Sequence, residues 1–179
     1  MQIELSDSFI KIRRYDPTDI PLLYEAARES IVEGSQWLPW LHPGYSMAES
    51  LEWVLDCRKQ WDQNREYNFV IVNAAADRFL GGVGINQINY THRIANLGYW
   101  VRSSCNSRGI ATAAAKLAAQ FGFKELQLCR LEILVVVDNL ASQRVAEKTG
   151  ALREGILRKR LFIHGHSIDA VVFSLISPD

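Results

Sequence analysis

Apolar and polar residues alternate over positions 9–14, the period of a half-buried strand, and Tyr15-Asp16-Pro17-Thr18 then turns into a helix carrying Leu22, Leu23, Ala26 and Ala27. Pro21 fits that helix only in its first turn, where the missing N–H has no helical partner. Ser46-Met47-Ala48-Glu49 has capping-box spacing, and Leu51, Val54, Leu55, Arg58 and Trp61 follow at helical intervals, so a second helix is predicted there. Three β-type runs come next, at 69–72, 80–88 and 94–101, separated by turn-like stretches at 74–78 and 90–93. They predict an antiparallel meander. Gly81, Gly82 and Gly84 inside the middle run mark a bulge or a close backbone approach rather than a phosphate loop. After Cys105-Asn106-Ser107-Arg108-Gly109 a long helix carries Ile110, Ala114, Leu117, Ala118 and Phe121 on one stripe. Residues 131–137, apolar and β-branched, read as a strand covered on both faces. A shorter helix over 140–149 stops at Gly150, and runs at 152–163 and 168–176 form a last hairpin around His164-Gly165-His166. The order predicts a mixed α/β fold with a strand-helix-strand-helix-strand centre.

The 179 residues suit one domain, 1–179, and the 48% apolar content is enough for a proper core. Lys plus Arg is 20 and Asp plus Glu is 20, so no bulk field draws the chain to nucleic acid or an anionic membrane. Cys57, Cys105 and Cys129 are odd in number and lack metal-ligand spacing, which argues against a disulfide framework or a zinc site. With no basic leader and no long apolar run, the expectation is a cytoplasmic protein without a membrane span. Between the first two helices, Trp37-Leu38-Pro39-Trp40-Leu41-His42-Pro43 is too aromatic for plain loop: it is a lid or substrate wall, or Trp37 and Trp40 pack in the core.

The candidate chemistry lies after Gly98-Tyr99-Trp100-Val101. A strand feeding a glycine-bearing turn at a helix start directs unpaired N–H groups and the positive end of a helix dipole into one space, which favours phosphate. The groups concerned are the N–H donors of Arg108, Gly109, Ile110, Ala111 and Thr112, the Thr112 hydroxyl and the Arg108 guanidinium. The same turn also reads as an ordinary helix start. Neither the dinucleotide fingerprint nor the nucleoside-triphosphate loop is present in it.

Asn106-Ser107-Arg108-Gly109-Ile110-Ala111 resembles the pyrophosphate motif of the GCN5-related N-acetyltransferase family, with asparagine at a first position that is usually glutamine or arginine. Asn96-Leu97-Gly98-Tyr99-Trp100-Val101 is similar to the strand leading into that motif, and the segment from Asp138 to Gly150 is similar to the second conserved segment of the branch that acetylates N-terminal residues of ribosomal proteins. The resemblance covers nearly the whole chain. It implies a mixed central sheet with splayed strands flanked by helices, and acetyl-CoA as cosubstrate without a metal. It further implies that Trp100, Val101 and Arg102 hold the pantetheine arm through strand-like backbone bonds, that Asn139 contacts the cofactor, and that Ser142 protonates the departing thiolate, with Tyr99 as a further catalytic candidate. By local rules alone, Asn139 is the N-cap of the helix that follows it.

An amine nucleophile must lose a proton, so a base is expected near the strand gap. Many members of the branch have glutamate where this chain has Asn96; Glu66 is the nearest carboxylate in sequence context and is the expected base. Glu132 faces solvent or a pair partner, His92, His164 and His166 read as loop residues, and His42 reads as a substrate contact. The expected acceptor is a protein N-terminal α-amine. A small amine such as a polyamine, amino acid or antibiotic is the alternative, and Glu25, Glu29 and Glu33, at four-residue spacing, either line an acidic pocket for it or form a solvated helix face. A non-catalytic acyl-CoA sensor would keep the cradle and lack the base. Val171-Val172-Phe173 packs in the core or pairs across a homodimer, and Cys105, beside the turn, is expected to react readily with thiol reagents.

Overall fold

Strand alternation builds the centre of the computed structural model, which describes residues 3–76 and 78–178. Residues 1 and 2, and Asp77 in the expected turn, lie outside the described residues. The strands are β1 (Glu4–Ser6), β2 (Ile10–Arg14), β3 (Tyr67–Asn73), β4 (Phe79–Asn89), β5 (Ile94–Val101), β6 (Arg130–Val136), β7 (Leu152–Ile163) and β8 (His166–Ile176). The helices are α1 (Ile20–Gly34), α2 (Met47–Asp62), α3 (Ile110–Lys124) and α4 (Leu140–Thr149). The strands form one sheet in the order β1-β2-β3-β4-β5-β6-β8-β7. Strands β3 to β5 are the antiparallel meander expected, β2 adds to it antiparallel to β3, and only β5 against β6 is parallel.

Period-two alternation sorts the core onto two faces. Phe69 and Ile71 of β3 join a cluster with Ala114, Leu117, Ala118 and Phe121 of α3. Val70 and Val72 point the other way, to Leu23 and Ala26 of α1 and Val54 and Cys57 of α2. Asp16 caps the short 3-10 turn that leads into α1, and Ser46 with Glu49 forms the reciprocal capping box of α2. Val171 and Phe173 are fully buried within the chain, which places that part of the last hairpin in the core. Cys105 is likewise buried, at 2% exposure, so it is not the accessible thiol expected from its position in the sequence; Cys129 is the exposed one.

Steric room explains the glycines of β4. A Cβ on Gly81 would stand 2.2 Å from the Trp100 carbonyl oxygen, and one on Gly84 would stand 2.0 Å from Asn68 Oδ1. The ladder between β3 and β4 also shifts register near Gly81. Both readings of that run hold: a bulge and a close approach.

Candidate active site

Strands β5 and β6 pair only from Ile94 to Asn96 against Arg130 to Glu132, and then diverge. The gap widens into a cleft of about 820 Å³, lined on its two sides by Leu97, Tyr99 and Trp100 of β5 and by Ile133 and Val135 of β6. Its volume is that of a small-molecule site. On the β4 side, the Arg102 N–H donates to the Leu80 carbonyl at 2.9 Å, and Trp100 sits opposite Gly82. In an antiparallel ladder the next groups alternate, so the N–H and C=O of Tyr99 and Val101 face the open edge that β6 has left. These are the strand-like donors and acceptors available to an extended arm. Trp100 and Arg102 turn theirs toward β4, which corrects their expected backbone role; Trp100 contributes its ring to the cleft wall instead.

Arg102 departs from expectation in its side chain as well. It is 5% exposed. Its guanidinium donates to Glu25 at 2.7 Å and, through two nitrogens, to Glu29. Glu29 and Arg102 hold each other charged: the carboxyl of Glu29 is lowered to about 2, chiefly by its hydrogen bond from Arg102, and the guanidinium of Arg102 is raised. Glu25 and Glu29 are therefore neither an acceptor pocket nor a merely solvated face, and Glu33 accepts from the Asn106 amide at 3.1 Å.

Beyond this loop the phosphate-type turn has the form the sequence suggests. Gly109 caps α3 in the left-handed region (φ 77°), and among the described residues no side chain caps the first turn of that helix. A Cβ at Gly109 would meet nothing within 4 Å, so the space over the helix end is open. Arg108 is exposed, and no hydrogen bond or ion pair holds it among the described residues. Unpaired donors and a helix dipole lie at the turn, with the exposed Arg108 beside them, where the resemblance expects the pyrophosphate. Ile110 is buried and anchors the turn, while Ala111 and Thr112 are half-buried.

On the far side of the gap, Tyr99 and Ser142, remote in sequence, come together. Tyr99 Oη donates to the Ser142 carbonyl at 3.0 Å and lies 3.2 Å from Ser142 Oγ. Burial pushes the Tyr99 phenol up to about 12, so it stays protonated through neutral pH. The Asn139 side chain accepts the Ser142 N–H at 3.0 Å, making it the N-cap of α4; Asn139 and Ser142 both line the cleft. Glu66 does not. It receives the Asn68 amide at 3.2 Å, and it is Asn68 that lines the cleft, so the expected base stands behind the wall. Asn96 donates its amide to Asn86 at 2.9 Å, and Glu132 pairs with Arg130.

On the opposite wall of the cleft the sequence pointed to the aromatic segment and missed the acids of α2. Trp37, Leu38, Pro39 and Trp40 line the cleft, while Leu41 is fully buried, so the aromatic segment is wall and core at once. The Trp40 ring meets the Trp100 ring edge-on at 5.3 Å. From α2, Glu49, Glu52, Trp53 and Asp56 also line the cleft, at the spacing of one helix face. Glu49 accepts from the Ser46 N–H and hydroxyl, each at 2.8 Å, and its other oxygen lies 2.7 Å from His42 Nε2. The capping box was the available signal for Glu49, but nothing local shows which face of α2 meets a cavity. Among the described residues no metal-ligand cluster is present, and no helix is long and apolar enough to cross a membrane.

Comparison with known proteins agrees with this geometry. The model of the acetyltransferase (GNAT) domain matches residues 10–152. The probable N-acetyltransferase YjcK of Bacillus subtilis is 35% identical over 136 residues, 75% of this chain and 75% of that protein. The candidate ribosomal N-acetyltransferase YdaF of the same organism is 30% identical over 169 residues, 93% of this chain and 91% of that protein. The structure of a candidate ribosomal-protein-serine acetyltransferase from Vibrio cholerae superposes with a TM-score of 0.86 at 28% identity, over 97% of each chain. The chain belongs to the GNAT acetyltransferase family and is an acetyl-CoA-dependent N-acetyltransferase.

Proposed function

We propose that the enzyme acetylates the N-terminal α-amine of a protein, a ribosomal protein being the reading favoured by the likeness to YdaF. The observation that carries the reading is the gap between β5 and β6, with Tyr99 and Ser142 on one flank and an open aromatic and acidic wall on the other. Acetyl-CoA is the cosubstrate. The Tyr99 and Val101 backbone at the open edge holds the pantetheine arm as an added strand would be held, and the turn from Arg108 to Thr112 holds the pyrophosphate. This fixes the thioester carbonyl beside the cleft and converts the encounter with an amine into an oriented reaction.

Two proton movements remain. As the amine nitrogen bonds to the acetyl carbon and the C–S bond breaks, the sulfur takes a proton from Ser142 or Tyr99. The phenol is protonated at neutral pH and hydrogen-bonded to Ser142, so either hydroxyl can pass the proton through the other, and the pair regains it from solvent. Removal of the ammonium proton falls to the His42–Glu49 pair rather than Glu66. Glu49, fixed by its cap, accepts from Nε2 and orients the ring, so that Nδ1 is the nitrogen offered as proton acceptor. Glu52 and Asp56 attract the ammonium form to the cleft.

These two acids also favour a second reading, a small polyamine as acceptor. Incubation with acetyl-CoA and peptides differing only in their first residue, together with spermidine and amine antibiotics, separates the two by mass spectrometry. Acetyl on the α-amine of serine- or alanine-starting peptides is expected. Acetyl only on spermidine moves the function to polyamines, and tight binding of acetyl-CoA without any product supports a sensor.

A further inference from the structure

Helix α1 touches the donor half of the enzyme through polar groups that neither the core nor the chemistry uses. Beyond its hold on the Arg102 guanidinium, Glu29 accepts the Ser104 N–H at 2.8 Å on its other oxygen. The adjacent Ser30 accepts the Ser103 N–H at 3.0 Å while donating to the Ala26 carbonyl of its own helix at 2.7 Å. One turn on, Glu33 takes the Asn106 amide. Four of the five residues from Arg102 to Asn106 are thus tied to one face of α1, from 73 to 77 positions away in sequence. Immediately after them the backbone enters the left-handed region at Ser107 (φ 62°) and again at Gly109 (φ 77°). A turn of that shape has a defined direction only if the segment feeding it is held.

We propose that Glu29 is a positioning residue for acetyl-CoA: through Arg102 and the Ser104 N–H it fixes the 102–106 loop, and so aims the donors of Arg108 to Thr112 at the pyrophosphate. The inference rests on the reading of that turn as the pyrophosphate cradle. Glu29 itself touches no substrate. Its neighbours Glu25 and Glu33 act in the same direction with fewer contacts, since each makes one bond to the loop where Glu29 makes several.

The test compares two donors, acetyl-CoA and S-acetyl-pantetheine, which carries the same thioester and arm but no pyrophosphate. Glu29→Gln keeps the side-chain shape and removes the charge that holds Arg102. The variant should raise the acetyl-CoA KM about tenfold, leave kcat within about twofold, and leave the acetyl-pantetheine KM unchanged. A structural defect would weaken both donors alike, and that result, or an unchanged acetyl-CoA KM in the folded variant, overturns the proposal. Glu29→Asp, which restores the charge on a shorter stem, should recover part of the loss. If Glu29→Gln does not fold, Glu33→Gln decides: it loosens only the Asn106 tie and should give the same donor-selective change at about threefold, no change counting against the proposal. Arg108→Ala distinguishes the underlying reading, because it should lose affinity for acetyl-CoA alone. If Arg108→Ala leaves that KM unaltered, the cradle assignment has failed; if it is donor-selective and Glu29→Gln is not, only the positioning role has.

Discussion

The donor side and the acceptor side of the cleft are built by different means. On the donor side, a buried arginine, two carboxylates and backbone N–H groups lock the 102–106 loop to α1, and the α3 end then offers unpaired donors. On the acceptor side, the Trp37–Trp40 wall and the exposed Glu52, Trp53 and Asp56 of α2 meet the cleft through ring edges and solvated carboxylates. Directional bonds suit a reagent that is the same in every turnover. Aromatic edges and exposed charge suit an acceptor whose side chains differ from one substrate to another. On the proposed reading, cosubstrate geometry is held by α1 while acceptor choice resides in the 37–56 region.

Substitutions on each side test this division. Tyr99→Phe keeps the ring and removes the hydroxyl shared with Ser142, and kcat should fall about a hundredfold with little change in either KM, as read in steady-state thiol release. An unaltered kcat would remove Tyr99 from proton transfer. Arg102→Ala leaves Glu25 and Glu29 without their buried partner and should lower unfolding stability by about 3 kcal/mol in urea titrations, which no acceptor-side change should match. Trp53→Ala and Asp56→Asn should each raise the acceptor KM, by about tenfold and about threefold, and leave acetyl-CoA binding by calorimetry as it was.

The smallest effect is electrostatic. The Glu29 carboxyl lies below its ordinary value of 4.5, at about 2, so the folded state releases its proton more readily than the unfolded chain. Its stabilisation is complete above pH 4.5 and is lost as pH falls toward 2. Wild type should therefore lose stability more steeply than Glu29→Gln across that window, and parallel pH dependences of Tm would contradict the assignment.

Much of the fold was legible because its signals are local. The turn at 15–18 into α1, the capping box at Ser46, and Gly109 and Gly150 at helix ends each act within a few residues. β1 escaped notice because Glu4 to Ser6 is too short to show a period and exists by pairing with β2. In the site, the Arg108 to Thr112 turn could be read since its chemistry belongs to a single strand-to-helix junction. Arg102 could not: its neighbours suggested a place on the cofactor arm, whereas its partners on α1 are fixed only by the tertiary fold. Glu66 failed for a similar reason. Its position just before Tyr67 suggested nearness to the gap, and only the tertiary structure shows that Asn68, which bonds it, lines the cleft while Glu66 does not. The acids of α2 needed knowledge of which helix face meets the cavity.

The division between the two sides is tested most directly by initial rates over a matrix of acetyl-CoA and acceptor-peptide concentrations, for wild type, Arg108→Ala and Asp56→Asn. Arg108→Ala should raise only the KM for acetyl-CoA and Asp56→Asn only that for the peptide. Movement of both constants together in either variant would contradict it.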